Sequence, residues 1–261
     1  MARRRVVVGE GSALPGSPFL TSVGLKPEKI EPDAYPFTLP LIGSDFGLKL
    51  STPVTFLVGE NGAGKSTLLE ALAWAAGFNA SGGHRDQSFV EGADGHKLGR
   101  ALRMGWRQRV SGGFFLRAET FFNFATYLEE VGSTFSAYGG KSLHAQSHGE
   151  AFLALFSNNF EDGLFILDEP EAALSPQRQL SFLRILNALG EKKVAQFIIA
   201  THSPILLTLP GARVLSVDGG ALHEVDYRDT EHFRLTRDFL NAPERFFRHL
   251  LADEGDVADD Q

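Results

Sequence analysis

The chain contains no cysteine in 261 residues. That excludes disulfides and thiolate-held metals. It also lacks any run near the roughly 18–20 apolar residues needed to cross a bilayer. The opening Met1-Ala2-Arg3-Arg4-Arg5-Val6-Val7-Val8-Gly9 is basic, but its apolar stretch is too short for a secretion signal. These absences fit a cytoplasmic protein with no direct membrane insertion. Positive charge is in deficit: 25 Lys and Arg stand against 32 Asp and Glu, a formal net charge of −7. A surface of that sign does not grip nucleic acid all over. A local basic patch stays open at Arg100, Arg103, Arg107 and Arg109, for which a solvated face is the plainer reading. The length allows one large α/β domain or two small ones.

The most informative segment that is present is Gly59-Glu60-Asn61-Gly62-Ala63-Gly64-Lys65-Ser66-Thr67. It has the form G-x-x-x-x-G-K-[ST] of a phosphate-binding loop. The apolar run Val54–Val58 before it reads as a buried strand, and Leu68, Leu69, Leu72 and Ala73 after it have helical spacing. Strand, glycine loop and helix start aim several backbone N–H groups at one point, the condition for holding a phosphate. In such a loop Lys65 supplies charge to the β- and γ-phosphates, and the Ser66 hydroxyl is a Mg²⁺ ligand.

Along the chain, residues 1–18 read as a flexible arm, Phe19 to Leu25 as a first strand, and 26–47, with Pro27, Pro32, Pro36 and Pro40, as an irregular connection. The helix from about Ser66 ends near Gly77, and 79–99, polar and glycine-rich, reads as a long mobile loop. Phe114-Phe115-Leu116 is a short strand, Thr120 to Glu130 a helix, and Ala151 to Phe156 the opening of another. Leu164–Leu167 and Val194–Ala200 are buried strands. Between them Gln177–Leu189 is a helix, with Leu180, Leu183, Leu186 and Leu189 as its apolar stripe. Phe239, Leu240, Phe246, Phe247, Leu250 and Leu251 predict a helical pair packed back on the core, and Asp253 to Gln261 an acidic disordered tail. Strands alternating with helices predict an α/β fold with a mainly parallel sheet and its ligands at the carboxyl ends.

Two of those ends carry chemistry. Leu164-Phe165-Ile166-Leu167 runs into Asp168-Glu169-Pro170. Successive strand residues point to opposite sides, so the carboxylates do different work. Asp168 is placed to hold Mg²⁺, usually through water, and Glu169 to polarise an attacking water. Phe197-Ile198-Ile199 runs into Ala200-Thr201-His202-Ser203, where His202 is placed to donate a hydrogen bond to charge developing on the γ-phosphate. His84, His96 and His223 read as structural.

With these pieces in place, Walker A at 59–67, Walker B at 164–169 and the histidine at 202 resemble the ATP-binding cassette (ABC) ATPases. The resemblance runs from about Phe19 to Leu250 and implies a single ATPase domain over 19–252 with a helical signature subregion at about 79–160. Gln146-Ser147-His148-Gly149-Glu150 resembles a divergent L-S-G-G-Q signature. By that likeness Ser147 and the Gly149 N–H bind the γ-phosphate held by a second subunit. Ser147 with Glu150 also reads as a capping box, and both readings can hold together. Asp168-Glu169-Pro170-Glu171-Ala172-Ala173-Leu174-Ser175-Pro176 departs from transporter cassettes, because Ser175 stands where they carry aspartate. It is more similar to soluble ABC ATPases related to the Rad50, RecF and OLD proteins, and to a bacterial family of stand-alone AAA/ABC ATPases. For the family's glutamine loop, with its metal-site residue, Glu119 is the first candidate and Gln108 the second. For the aromatic that stacks on adenine the candidates are Tyr35 and Phe37.

The resemblance implies ATP and Mg²⁺ as cofactors and an ATP-driven head-to-tail homodimer acting on an unidentified macromolecule, DNA or protein. DNA maintenance or phage defence is the first expectation. An energy-coupling subunit of a membrane transporter is the alternative, and a non-hydrolysing scaffold is opposed by Glu169 and His202.

Overall fold

The structure is a computed structural model and describes residues 16–43, 45–78, 94–117, 152–153 and 162–251. Its centre is a six-stranded sheet. Five strands are parallel: β3 (Val54–Val58), β5 (Gly113–Arg117), β6 (Gly163–Asp168), β7 (Ala195–Ala200) and β8 (Arg213–Ser216). The short β9 (His223–Glu224) adds antiparallel at one edge, giving the order β5-β6-β7-β3-β8-β9. β3, β6 and β7 are buried along their whole length, as expected of strands covered on both faces. Their side chains divide by alternation. Leu164, Ile166, Ile198 and Ala200 enter one core layer, and Phe165, Leu167, Phe197 and Ile199 the other.

The first layer lies under helix α1 (Lys65–Ala76), which buries seven residues and ends on Gly77 at φ 88°, whose N–H returns to the carbonyls of Ala73 and Trp74. A second sheet, β1 (Leu20–Leu25), β2 (Gly47–Lys49) and β4 (Leu102–Trp106), is antiparallel in the order β2-β1-β4 and packs into the same layer. The sheets are joined by Gln196 on β7. Its side-chain carbonyl accepts from the Phe19 and Leu20 N–H groups, each at 2.8 Å, and its amide donates to the Leu20 carbonyl at 2.8 Å. The other layer is closed by helix α3 (Pro176–Glu191).

Several expectations need correction. The mobile loop read over 79–99 overlaps helix α2 (Asp94–Ala101). Its Gly95 and Gly99 are contact points, because a Cβ at either would lie 2.6 Å from Glu70 and 2.7 Å from Trp74 of α1. β2 and β4 were not foreseen. The arm is seated by Ser17, whose N–H donates to the Lys193 carbonyl at 2.8 Å and which is buried together with Pro18; residues 1–15 lie outside the described residues. The face α3 buries is Gln179, Phe182 and Leu186, while Leu180 is exposed. Leucines three apart drift around a 3.6-residue helix and cannot all face one way.

The C-terminal helices α4 (Glu231–Asn241) and α5 (Pro243–Leu250) form, but neither buries a residue. Phe239 packs on Phe246 and Phe247, and Leu235, Leu240, Leu250 and Leu251 face outward. The pair does not pack back on the core. The helix expected over Thr120–Glu130 and the tail Asp253–Gln261 lie outside the described residues, as does all but Phe152 and Leu153 of the helix expected at 151–156.

Candidate functional site

The carboxyl ends of all five parallel strands deliver polar groups to one place. β3 leads into the loop 59–67 and then α1. Gly59 sits at φ 146°, where a Cβ would lie 2.6 Å from Val217 and 2.7 Å from the Asp218 carboxylate. Only glycine takes that conformation in that space. Asp218, just past β8, ties the loop in place: one oxygen accepts from the Glu60 N–H at 2.9 Å and the other from the Ser216 hydroxyl at 2.9 Å. Lys65 is buried and donates through Nζ to the carbonyls of Gly59 at 2.5 Å and Glu60 at 2.8 Å. Burial lowers its pKa, and the carboxylates of Glu169, Asp218 and Asp168 oppose that fall. The first N–H groups of α1 have no partner within the helix and join the loop in offering an anion site. The Thr67 hydroxyl meets the Tyr35 hydroxyl at 2.8 Å. Phe37 is buried in the core, so of the two aromatic candidates Tyr35 is the one beside the loop.

β6 lies two strands from β3, with β7 between them. Asp168 shares the alternation of Leu164 and Ile166 and so points toward α1, where one carboxylate oxygen accepts from the Ser66 hydroxyl at 3.2 Å. Its other oxygen accepts from Arg117 Nε at 3.2 Å, and Arg117 Nη1 reaches Glu70 on α1 at 2.6 Å. Sequence reasoning missed Arg117. The available signal was its place as the last residue of the strand beside the one that ends in Asp168.

Glu169 adopts φ 50°, ψ 53°, one of two non-glycine residues with positive φ among the described residues. Its N–H still pairs with the Ala200 carbonyl at 2.9 Å. The left-handed turn lifts its side chain off the strand alternation, and Oε1 lies 3.5 Å from His202 Nε2.

His202 leaves the end of β7, between the loop and the carboxylates. Two further residues hold it, and sequence reasoning missed both roles. The Glu171 carboxylate accepts from the His202 backbone N–H at 2.6 Å, and His202 Nδ1 pairs with His232 Nε2 of α4 at 2.8 Å. His202 Nε2 is buried and has no hydrogen-bond partner among the described residues. Burial first, then the charge of Lys65 and the neighbouring His232, push the His202 pKa down to about 4. Burial raises the Glu171 pKa, against the hydrogen bond from the His202 N–H.

A divalent cation can be tested against these donors. The Ser66 hydroxyl and the Asp168 carboxylate are hard oxygen ligands side by side, and among the described residues no group of three or more His, Asp or Glu is arranged to hold a metal ion by itself. That suits Mg²⁺, which keeps several waters and is completed by substrate phosphates, rather than a metal needing an all-protein cage.

Other candidates fall elsewhere. Gln108 precedes β5, at the amino end of the sheet and away from the loop. Glu119, Ser147, Gly149 and His84 lie outside the described residues. His96 is buried beside Trp74, and His223 sits exposed on β9. Arg100, Arg103, Arg107 and Arg109 are all exposed.

Two family models match the chain. One is described as an AAA domain and covers residues 39–103; the other is described as "AAA domain, putative AbiEii toxin, Type IV TA system" and covers 150–208. The first span holds the loop and α1, and the second holds Asp168, Glu169 and His202. No curated protein matches. Similar solved structures include a protein described as a metal-chelate type ABC transporter in an inward-facing conformation, at 16% identity and TM-score 0.44, covering 70% of this chain and 76% of that one. The SMC head domain from Thermotoga maritima aligns at 17% identity and TM-score 0.45, over 80% of this chain and 98% of that one. CbiO1 from Clostridium perfringens, part of the ABC transporter complex cbiONQ, aligns at 18% identity and TM-score 0.45, over 78% and 90%.

Proposed function

We propose that this chain, which matches AAA-domain family models over 39–103 and 150–208, is an ABC-type P-loop ATPase that hydrolyses ATP with Mg²⁺ and works as an ATP-closed, head-to-tail homodimer. The observation that carries the hydrolytic reading is the division of labour at the end of β6. Asp168 turns inward to the Ser66 hydroxyl, while Glu169 turns out toward His202. In this reading the loop N–H groups and Lys65 hold the β- and γ-phosphates. Ser66 and Asp168 would hold Mg²⁺, which when bound would supply charge neutralisation at the phosphates. Glu169 accepts the proton of the attacking water, and its separate position keeps it clear of the metal ligands. His202 Nε2–H donates to the γ-phosphate as charge builds there. Ser147 and the Gly149 N–H of a second copy complete each site, within one ATPase domain spanning 19–252. The partner acted on is a macromolecule, DNA or protein. The Type IV TA system named in the second family description supports a setting in defence.

The test uses Glu169→Gln, measured by light scattering with and without ATP and Mg²⁺. Blocking proton acceptance traps the closed state, so the mass doubles only with ATP and the doubling disappears in Glu169→Gln with Ser147→Arg. Turnover falls by about 10²–10⁴-fold in Glu169→Gln alone. A mass that ignores ATP overturns the dimer, and unchanged turnover overturns the role of Glu169.

A further inference from the structure

The catalytic-site histidine is gripped from outside the nucleotide-binding core. His202 has two ring nitrogens with different surroundings. Nε2 is buried, has no hydrogen-bond partner among the described residues, and lies 3.5 Å from Glu169 Oε1. Nδ1 meets His232 Nε2 at 2.8 Å, with the rings edge to face at 4.5 Å between centroids. A hydrogen bond between two imidazole nitrogens needs one proton, so one ring must donate and the other accept. If His202 donated from Nδ1, its neutral ring would have only a lone pair at Nε2, aimed at a carboxylate and toward the phosphates. The Glu169 carboxylate, 3.5 Å away, would then repel it. If His232 donates, the proton on His202 sits at Nε2, where it meets Glu169 and where a γ-phosphate oxygen would need a donor.

We propose that His232 is a positioning residue which, by donating from Nε2 to Nδ1 of His202, fixes His202 in the tautomer that carries its proton on Nε2. The logic is that of a second residue setting the tautomer of a working histidine through its far nitrogen. His232 is well placed for a steady grip. It is the second residue of α4, and the turn before that helix is pinned by Tyr227, whose ring packs edge-on against Phe233 at 5.1 Å. The Thr230 hydroxyl donates to the Tyr227 carbonyl at 2.7 Å. With Glu171 holding the His202 backbone, the ring is fixed from both ends. The proposal rests on the ATPase reading for its consequence, but not for its geometry.

The experiment is a long-range ¹⁵N–¹H histidine spectrum of the full chain, with His202 assigned by its loss in His202→Gln. The wild type should show His202 protonated at Nε2. His232→Phe, which keeps a ring but removes the donor, should give a mixed or reversed tautomer. His232→Gln places an amide donor near the same point and should restore the wild-type pattern. In turnover, kcat should fall about 10–100-fold in His232→Phe with KM for ATP held, and recover in His232→Gln, the scale seen when such outer partners are removed. A His202 protonated at Nδ1 in the wild type, or unchanged in His232→Phe, overturns the proposal. A chain with no ATPase activity at all leaves the spectrum as the deciding readout and condemns only the ATPase reading.

Discussion

Helices α1 and α4 both start at the candidate site, yet one is part of the core and the other hangs outside it. α1 brings Lys65 and Ser66 and buries seven residues between the parallel sheet, the antiparallel sheet and α2. α4 brings His232 and buries none. Its apolar side is met by α5 through Phe239, while Leu235 and Leu240 stay in solvent. A helix can therefore place a working side chain without sharing in the core, provided its first turn is tied down. Here that tie is Tyr227, Phe233 and Thr230.

The comparison breaks most visibly by truncation. Leu72→Ala, at a fully buried point of α1, should cost about 2–5 kcal/mol in denaturant unfolding. A value near zero would mean that α1 is not a core helix. The seam between the sheets should follow. Gln196→Leu strips partners from the Phe19 and Leu20 N–H groups and the Leu20 carbonyl, and should cost about 1–3 kcal/mol, the penalty of one group left buried and unpaired once the seam relaxes. Retention of wild-type stability would show that β1 finds other bonds.

A weaker effect should appear with pH. The His202 pKa is near 4 in the fold, against 6.5 for the free side chain, so the unfolded chain binds the extra proton between those values. Stability from this group is present above pH 6.5 and is lost as pH falls toward 4. Melting temperature against pH should therefore decline less in His202→Gln than in wild type, and parallel curves would remove His202 as the cause. Smallest of all, Leu235→Ala on exposed α4 should stay within about 0.5 kcal/mol of wild type. A larger loss would reveal packing that α4 does not make in the structure.

The elements that form the candidate site were legible in the sequence because its parts are local. A strand, a glycine loop and a helix start follow one another over 54–76, and the carboxylates and His202 each close an unbroken apolar strand. What it hid is non-local. Gly95 and Gly99 read as loop residues because a missing side chain carries no pattern, and only the surface of α1 explains them. The edge strands β2 and β4 are short and half-exposed, so neither periodicity nor apolar content marks them. His232 meets His202 from 30 residues away, and no residue of its own helix is buried. The aromatic and leucine content of α4 and α5 suggested burial, but a period says only which side is apolar and not what covers it.

Gln196 has a further consequence for where the chemistry happens. An amide side chain offers the same donor and acceptor as a peptide unit, so β1 treats β7 as though an extra strand lay between them. The alignment of β7 is thus checked twice, once by its backbone ladders with β3 and β6 and once by the chain at Phe19 and Leu20. A slip of one residue would turn the amide to the wrong face and leave β1 unanchored. The same slip would withdraw His202 from the loop. His202 lies six positions beyond Gln196 and two beyond the end of β7, roughly 20 Å along the strand direction. The polar anchor at one end of the strand therefore acts as a ruler for the histidine at the other.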